Sequence, residues 1–131
     1  MTQRHLIILA AINMLIAVAA GAFGAHALKN MLSPEMLTIW HTAASYQTSH
    51  ALGLFGIALL IPRVSSIWLT RSAIAMLTGI AIFSGSLYLL AVSGVRWLGA
   101  ITPIGGLAFL LAWAMLAWAA YRDMKSGTTL F

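Results

Sequence analysis

The chain has 131 residues, of which 62% are hydrophobic and 7% charged, against roughly 45–50% apolar in an average soluble domain. That composition excludes a water-soluble globular fold, and the lack of cysteine excludes disulfides and thiolate metal sites. The formal net charge of +5 invites a nucleic-acid reading, but the seven basic residues stand at the ends of apolar segments, where cations anchor membrane helices, so no nucleic-acid partner is expected.

Continuous apolar runs cover 6–28, 43–61, 73–92 and 103–121, each close to the ~20 residues that a helix needs to cross ~30 Å of hydrocarbon. Barrel strands would be shorter and would alternate in polarity, which these runs do not. The predicted fold is all-α, an integral membrane four-helix antiparallel bundle forming a single domain over 1–125. Its helices are expected at about 6–28, 34–61, 67–93 and 103–122, followed by a flexible C-terminal tail at 126–131.

The first run follows Arg4 and ends near the small triplet Ala25, His26, Ala27, an arrangement shared with cleavable signal peptides. It exceeds the ~7–15 residues of a signal core, so a retained helix is the better reading. Ser33, Pro34 and Glu35 then supply an N-cap, a first-turn proline and a carboxylate at the positive end of the second helix dipole. That helix closes at Ile61-Pro62-Arg63, and Ser65 or Ser66 can cap the third, which Gly94 ends. Thr102 and Pro103 repeat the cap-plus-proline pattern for the fourth. Arg4, Arg63, Arg71, Arg122 and Lys125 flank one side and Lys29 and Arg96 the other, a five-to-two bias that predicts both termini in the cytoplasm.

Small residues mark the expected helix contacts: Gly21 and Gly24, Gly53 and Gly56, Gly79 and Gly85, and Gly105 and Gly106 permit close backbone approach. The second helix is polar for a span. Thr38, His41, Thr42, Ser45, Ser49, Gly53 and Gly56 share one face, Tyr46 and His50 stack beside it, and Gln47 points away and needs its own partner. Such a helix is expected at the buried centre of the bundle or of an oligomer. His50 falls near mid-membrane, where an ionisable side chain is a functional-site hypothesis in its own right.

His26 and His41 approach the same side and are the only candidates for a metal. Neither carboxylate nor thiolate joins them and His-x₃-His spacing is missing, so no metal site and no cofactor are expected. Serine–histidine dyads from Ser84 or Ser86 with His26 or His50 lack an orienting acid, and Glu35 and Asp123 fall on opposite sides, so an enzyme is not expected.

Four blocks, GAFGAHALK (21–29), YQTSHALG (46–53), FSGSLYLL (83–90) and TPIGGLAF (102–109), resemble the bacterial YgdD-like small inner-membrane proteins, a family of unknown function. The resemblance implies a four-span plasma-membrane protein and directs attention to His26, Tyr46, Gln47, His50, Ser84, Ser86, Tyr88, Thr102 and Pro103, leaving His5 and His41 outside the blocks. The functional expectation is a polar interior that binds or passes a small solute, proton or lipid headgroup. The alternative is a structural or accessory protein that acts by homo-oligomer or partner packing in the lipid.

Overall fold

The computed structural model describes residues 1–123; Lys125 and the tail at 126–131 lie outside the described residues. Its helix boundaries follow local chemistry. α1 (Gln3–His26) begins where extended Thr2 accepts a hydrogen bond from the His5 amide at 3.3 Å, and a 3₁₀ turn at Leu28–Asn30 follows it. α2 (Pro34–Leu60) begins where Ser33 accepts from the Met36 amide at 3.2 Å, with Glu35 in the first turn. α3 (Ile67–Gly79), a π-helical segment (Ile80–Ser84) and α4 (Gly85–Ser93) run on as one rod, Ile67–Ser93. Gly94 stops the rod at φ 69°, in the left-handed region that suits glycine. A 3₁₀ turn at Arg96–Ala100 leads into α5 (Thr102–Asp123), whose first residue is Thr102 itself.

Three segments, Gln3–Asn30, Ile67–Ser93 and Arg96–Asp123, are long and apolar enough to cross a membrane. α2 has 27 residues but does not join them, because Tyr46 to His50 interrupts its apolar run with five consecutive polar or amphipathic side chains. Its buried polar side chains need partners on neighbouring helices.

Those neighbours are supplied by small-residue seams. α1 buries Leu6, Ala10, Ala17, Ala20 and Gly24, a spacing of three and four that makes one helical stripe, and α1 packs extensively against α2 alone. Trp40 of α2 lies over Gly24 and donates its Nε1–H to the Ala20 carbonyl at 2.8 Å. Trp40→Phe keeps the ring and deletes the donor. We expect it to lower stability by about 1 kcal/mol, a fall of a few degrees in the thermal midpoint in detergent, and an unchanged midpoint would mean that the bond is idle.

On the other side α5 packs against α3 and the π segment through Gly105, Phe109, Ala112 and Ala119. Ser72 of α3 adds a bond to the Ala112 carbonyl at 2.7 Å. α2 meets α4 and the π segment and so joins the two pairs, with Leu54, Ile57, Leu69 and Met76 at most 1% exposed between them. The result is two helix pairs, α1 with α2 and the long rod with α5, joined through α2, whose His50 also reaches Phe109 of α5. At one end an exposed pair, Arg96 and Glu35 at 3.4 Å, ties the last loop to α2, a contact worth little in water. At the other, Ser66 caps α3 and donates to Asp123 at the end of α5.

Within the single chain much of the polar face of α2 is not buried. Of that face Thr38, His41, Ser45, Ser49 and Gly56 are exposed and Gly53 is buried, alongside Ala43, Ala44, Gln47, His50, Ala51, Leu54, Ile57 and Ala58. The hydroxyls need no second helix because Thr38, Thr42, Thr48 and Ser49 each bond the carbonyl one turn back, at 2.9–3.0 Å.

Candidate functional site

Gln47 and His50 are the two buried polar residues of α2, 4% and 6% exposed, and they stand three positions apart on the helix. A spacing of three leaves the two side chains about 60° apart around α2, and their partners lie on different helices. Gln47 points into the gap between α1 and α4. Its Nε2 donates to Asn13 Oδ1 at 3.3 Å, and its Oε1 accepts from the Tyr88 hydroxyl at 2.9 Å. One amide thus links three helices. Ser84 closes this side by donating to the Ala43 carbonyl at 2.9 Å, and Ser86 pairs with Thr102 at 2.8 Å.

His50 turns toward α5. Its ring lies parallel to that of Phe109, with centroids 3.4 Å apart and planes 14° from each other, and Tyr46 stacks at 6.0 Å. Gly79 makes this possible, because a Cβ there would collide with the Phe109 ring. Nδ1 sits 2.7 Å from the Tyr46 carbonyl, one turn back on α2. Among the described residues Nε2 has no hydrogen-bond partner, yet no buried side-chain nitrogen or oxygen is sealed away unpaired. Nε2 therefore opens outward, onto a groove of about 460 Å³ that Tyr46, Phe83, Pro103, Gly106, Phe109 and Trp113 line. Ligand sites commonly occupy ~300–1,000 Å³ with apolar walls and few polar groups, which describes this groove.

The anticipated single polar interior is thus divided. Tyr46 and His50 stand on one side of α2, and Gln47, Tyr88 and Ser84 on the other. Ser84 and Ser86 bond Ala43, Phe83 and Thr102 rather than a histidine. His26 and His41 are both exposed at the end of the α1–α2 hairpin, and among the described residues no three potential metal ligands gather. Of the glycines, Gly24, Gly53 and Gly105 meet neighbouring helices, Gly106 makes ordinary contact with Phe83, and Gly21, Gly56 and Gly85 face open space.

Sequence reasoning missed Asn13, Phe109 and Trp113. Asn13 was detectable as the one amide inside the first apolar run, in register with the Leu6-Ala10-Ala17-Ala20 stripe. Phe109 and Trp113 look like any apolar residues of a span, and only the fold brings them to His50.

Residues 20–106 match the family model described as "Protein of unknown function (DUF423)". The chain belongs to the DUF423 family. It is 49% identical over 117 residues to the UPF0382 membrane protein YwdK of Bacillus subtilis, covering 88% of this chain and 95% of that protein. It is 40% identical over 129 residues to the UPF0382 inner membrane protein YgdD of Escherichia coli K12, covering 98% of both. No solved structure matches the chain. With three apolar spans and relatives named as membrane proteins, this DUF423 member is a multi-pass protein of the bacterial inner membrane. The family match takes in Tyr46, Gln47, His50, Ser84, Tyr88 and Gly105, and stops short of Asn13, Phe109 and Trp113.

Proposed function

We propose that this DUF423 protein is a non-enzymatic four-span membrane protein, with both termini in the cytoplasm, that binds a lipophile dissolved in the membrane at the His50 groove. One observation carries the reading: a histidine nitrogen, on a side chain only 6% exposed, is left without a protein partner at the floor of an aromatic groove. α2 as the fourth span is supported by its 27 residues, about 40 Å at ~1.5 Å per residue, and by the partners that Gln47 finds on α1 and α4. The five-to-two bias of basic residues supports the orientation. Catalysis has little to work with, since Glu35 and Asp123 stand at opposite ends of the molecule, and binding here needs no cofactor. Passage of a solute through the interior finds no support, because the buried polar groups divide between two sides of α2 and Gln47, Ser72 and Ser84 are bonded in place.

The test is to fill the groove. Gly106 borders it with only ordinary contact to Phe83, so Gly106→Phe should place a ring in the cavity without straining the backbone. Wild-type protein purified in mild detergent is expected to carry a lipophile that native mass spectrometry detects, and the variant should lose at least nine-tenths of it. Equal retention by both proteins would sink the proposal.

A second reading, packing against another copy or a partner, rests on a separate observation. Ser45, Ser49 and Gly56 are exposed small residues on one face of α2, with Leu52 exposed among them, and small residues of this kind let membrane helices approach closely. Filling the groove would leave such an association unchanged.

A further inference from the structure

We infer that the His50 groove selects a neutral lipophile that carries a hydroxyl group, donated to His50 Nε2; this rests on the reading of the groove as a binding site. The choice of donor follows from the proton on the ring. A carbonyl oxygen can only accept, so the 2.7 Å contact with the Tyr46 carbonyl requires the proton on Nδ1. In the neutral ring Nε2 is then a lone pair, and it is fixed in direction because Phe109 lies parallel to the ring at 3.4 Å. A lone pair facing hydrocarbon is unsatisfied until a ligand brings an O–H or N–H to it.

Depth selects a neutral donor. His50 is ten residues from Leu60 and sixteen from Pro34, so it lies about 15 Å and about 24 Å from the ends of α2 at ~1.5 Å per residue. A phospholipid headgroup does not reach that level of a ~30 Å hydrocarbon core. An ammonium group would reach it only at a cost of roughly 2.5–3.5 kcal/mol or more. A hydroxyl on an apolar body meets both conditions, and the walls of Phe83, Phe109 and Trp113 suit the apolar part. Tyr46 and Trp113 carry donors of their own, but each is 44% exposed at the rim, whereas His50 is held at the floor.

The experiment compares hexadecanol with hexadecyl methyl ether, which has a similar chain and no donor. The full-length protein is labelled with ¹⁵N in histidine and tryptophan, reconstituted in phosphatidylcholine bilayers and observed by solid-state NMR. His50 and Trp113 are assigned from the signals lost in His50→Gln and Trp113→Phe. Without probe, His50 should show a protonated Nδ1 and a bare Nε2. Both probes are expected to move the Trp113 indole signal by entering the groove, and hexadecanol alone should move Nε2. If both move Trp113 and the ether shifts Nε2 as far as the alcohol does, or if Nε2 is protonated from the start, donor selection fails while the groove stands. If neither moves Trp113, the groove itself is not a binding site and both readings fall.

Discussion

Gly105→Leu is expected to undock α5 from the long rod and to lower the thermal midpoint by about 10 °C or more, which corresponds to roughly 3 kcal/mol or more. The reason is what a side chain would meet. A Cβ at Gly105 would collide with the Phe83 backbone nitrogen and lie 2.8 Å from the Phe83 Cα and Cβ. Backbone cannot rotate aside as a side chain can, and Phe83 belongs to the π segment, whose path is fixed at both ends by continuous helix. Only separation of the two elements relieves the overlap. That separation also opens the Ser72 bond to Ala112 and pulls Phe109 from His50. Gly85→Leu is the matched control: its Cβ would have nothing within 4 Å, so the monomer should lose little. Unfolding in detergent with both variants decides the matter, and equal midpoints would mean that Gly105 is not a contact.

Gln47→Leu should cost about 2 kcal/mol, because the loss falls on the groups left behind. Neutral hydrogen bonds between membrane helices average only ~0.6 kcal/mol, so two deleted bonds alone would be a modest change. Leucine also strands Asn13 Oδ1 and the Tyr88 hydroxyl among apolar side chains, and an orphaned polar group costs ~1–3 kcal/mol. The two contributions can be separated. In the triple variant Asn13→Leu, Gln47→Leu, Tyr88→Phe no orphan remains, and stability should return to within about 1 kcal/mol of wild type. A triple variant as weak as the single one would show that the amide acts through its shape rather than through its bonds.

These two positions also mark where the sequence was legible. The helical class and the ends of the apolar runs could be read from composition and from Ser33-Pro34, Gly94 and Thr102-Pro103, because caps and breakers act locally. The demand of Gln47 for a partner was equally plain, since a buried amide cannot go unpaired. Which residue answers it depends on which helix lies alongside, and periodicity gives the direction of a side chain without naming its neighbour. Asn13 was therefore overlooked and the polar residues of α2 were assigned to one interior. The π segment was hidden for a related reason. Its wider turn shifts the facing of every residue beyond Ile80, so Ser84, Ser86 and Tyr88 cannot be placed by counting at 3.6 residues per turn from Ile67. The hydroxyls of α2 misled in the opposite sense: they count as polar in any tally, yet each that bonds back to its own helix is already satisfied.

The pairing of α1 with α2 has a consequence for how the chain enters the bilayer. α2 is not apolar enough to partition on its own, whereas α1 is, and they are joined by a short turn and sewn together by Trp40 and Gln47. α2 therefore relies on its pairing with α1. Within the hairpin Asn13 satisfies half of the Gln47 amide, and the other half is met by Tyr88, about forty residues further along the chain. The second half of the chain thus completes the first, and a chain ended before Tyr88 would leave the Gln47 carbonyl without its partner.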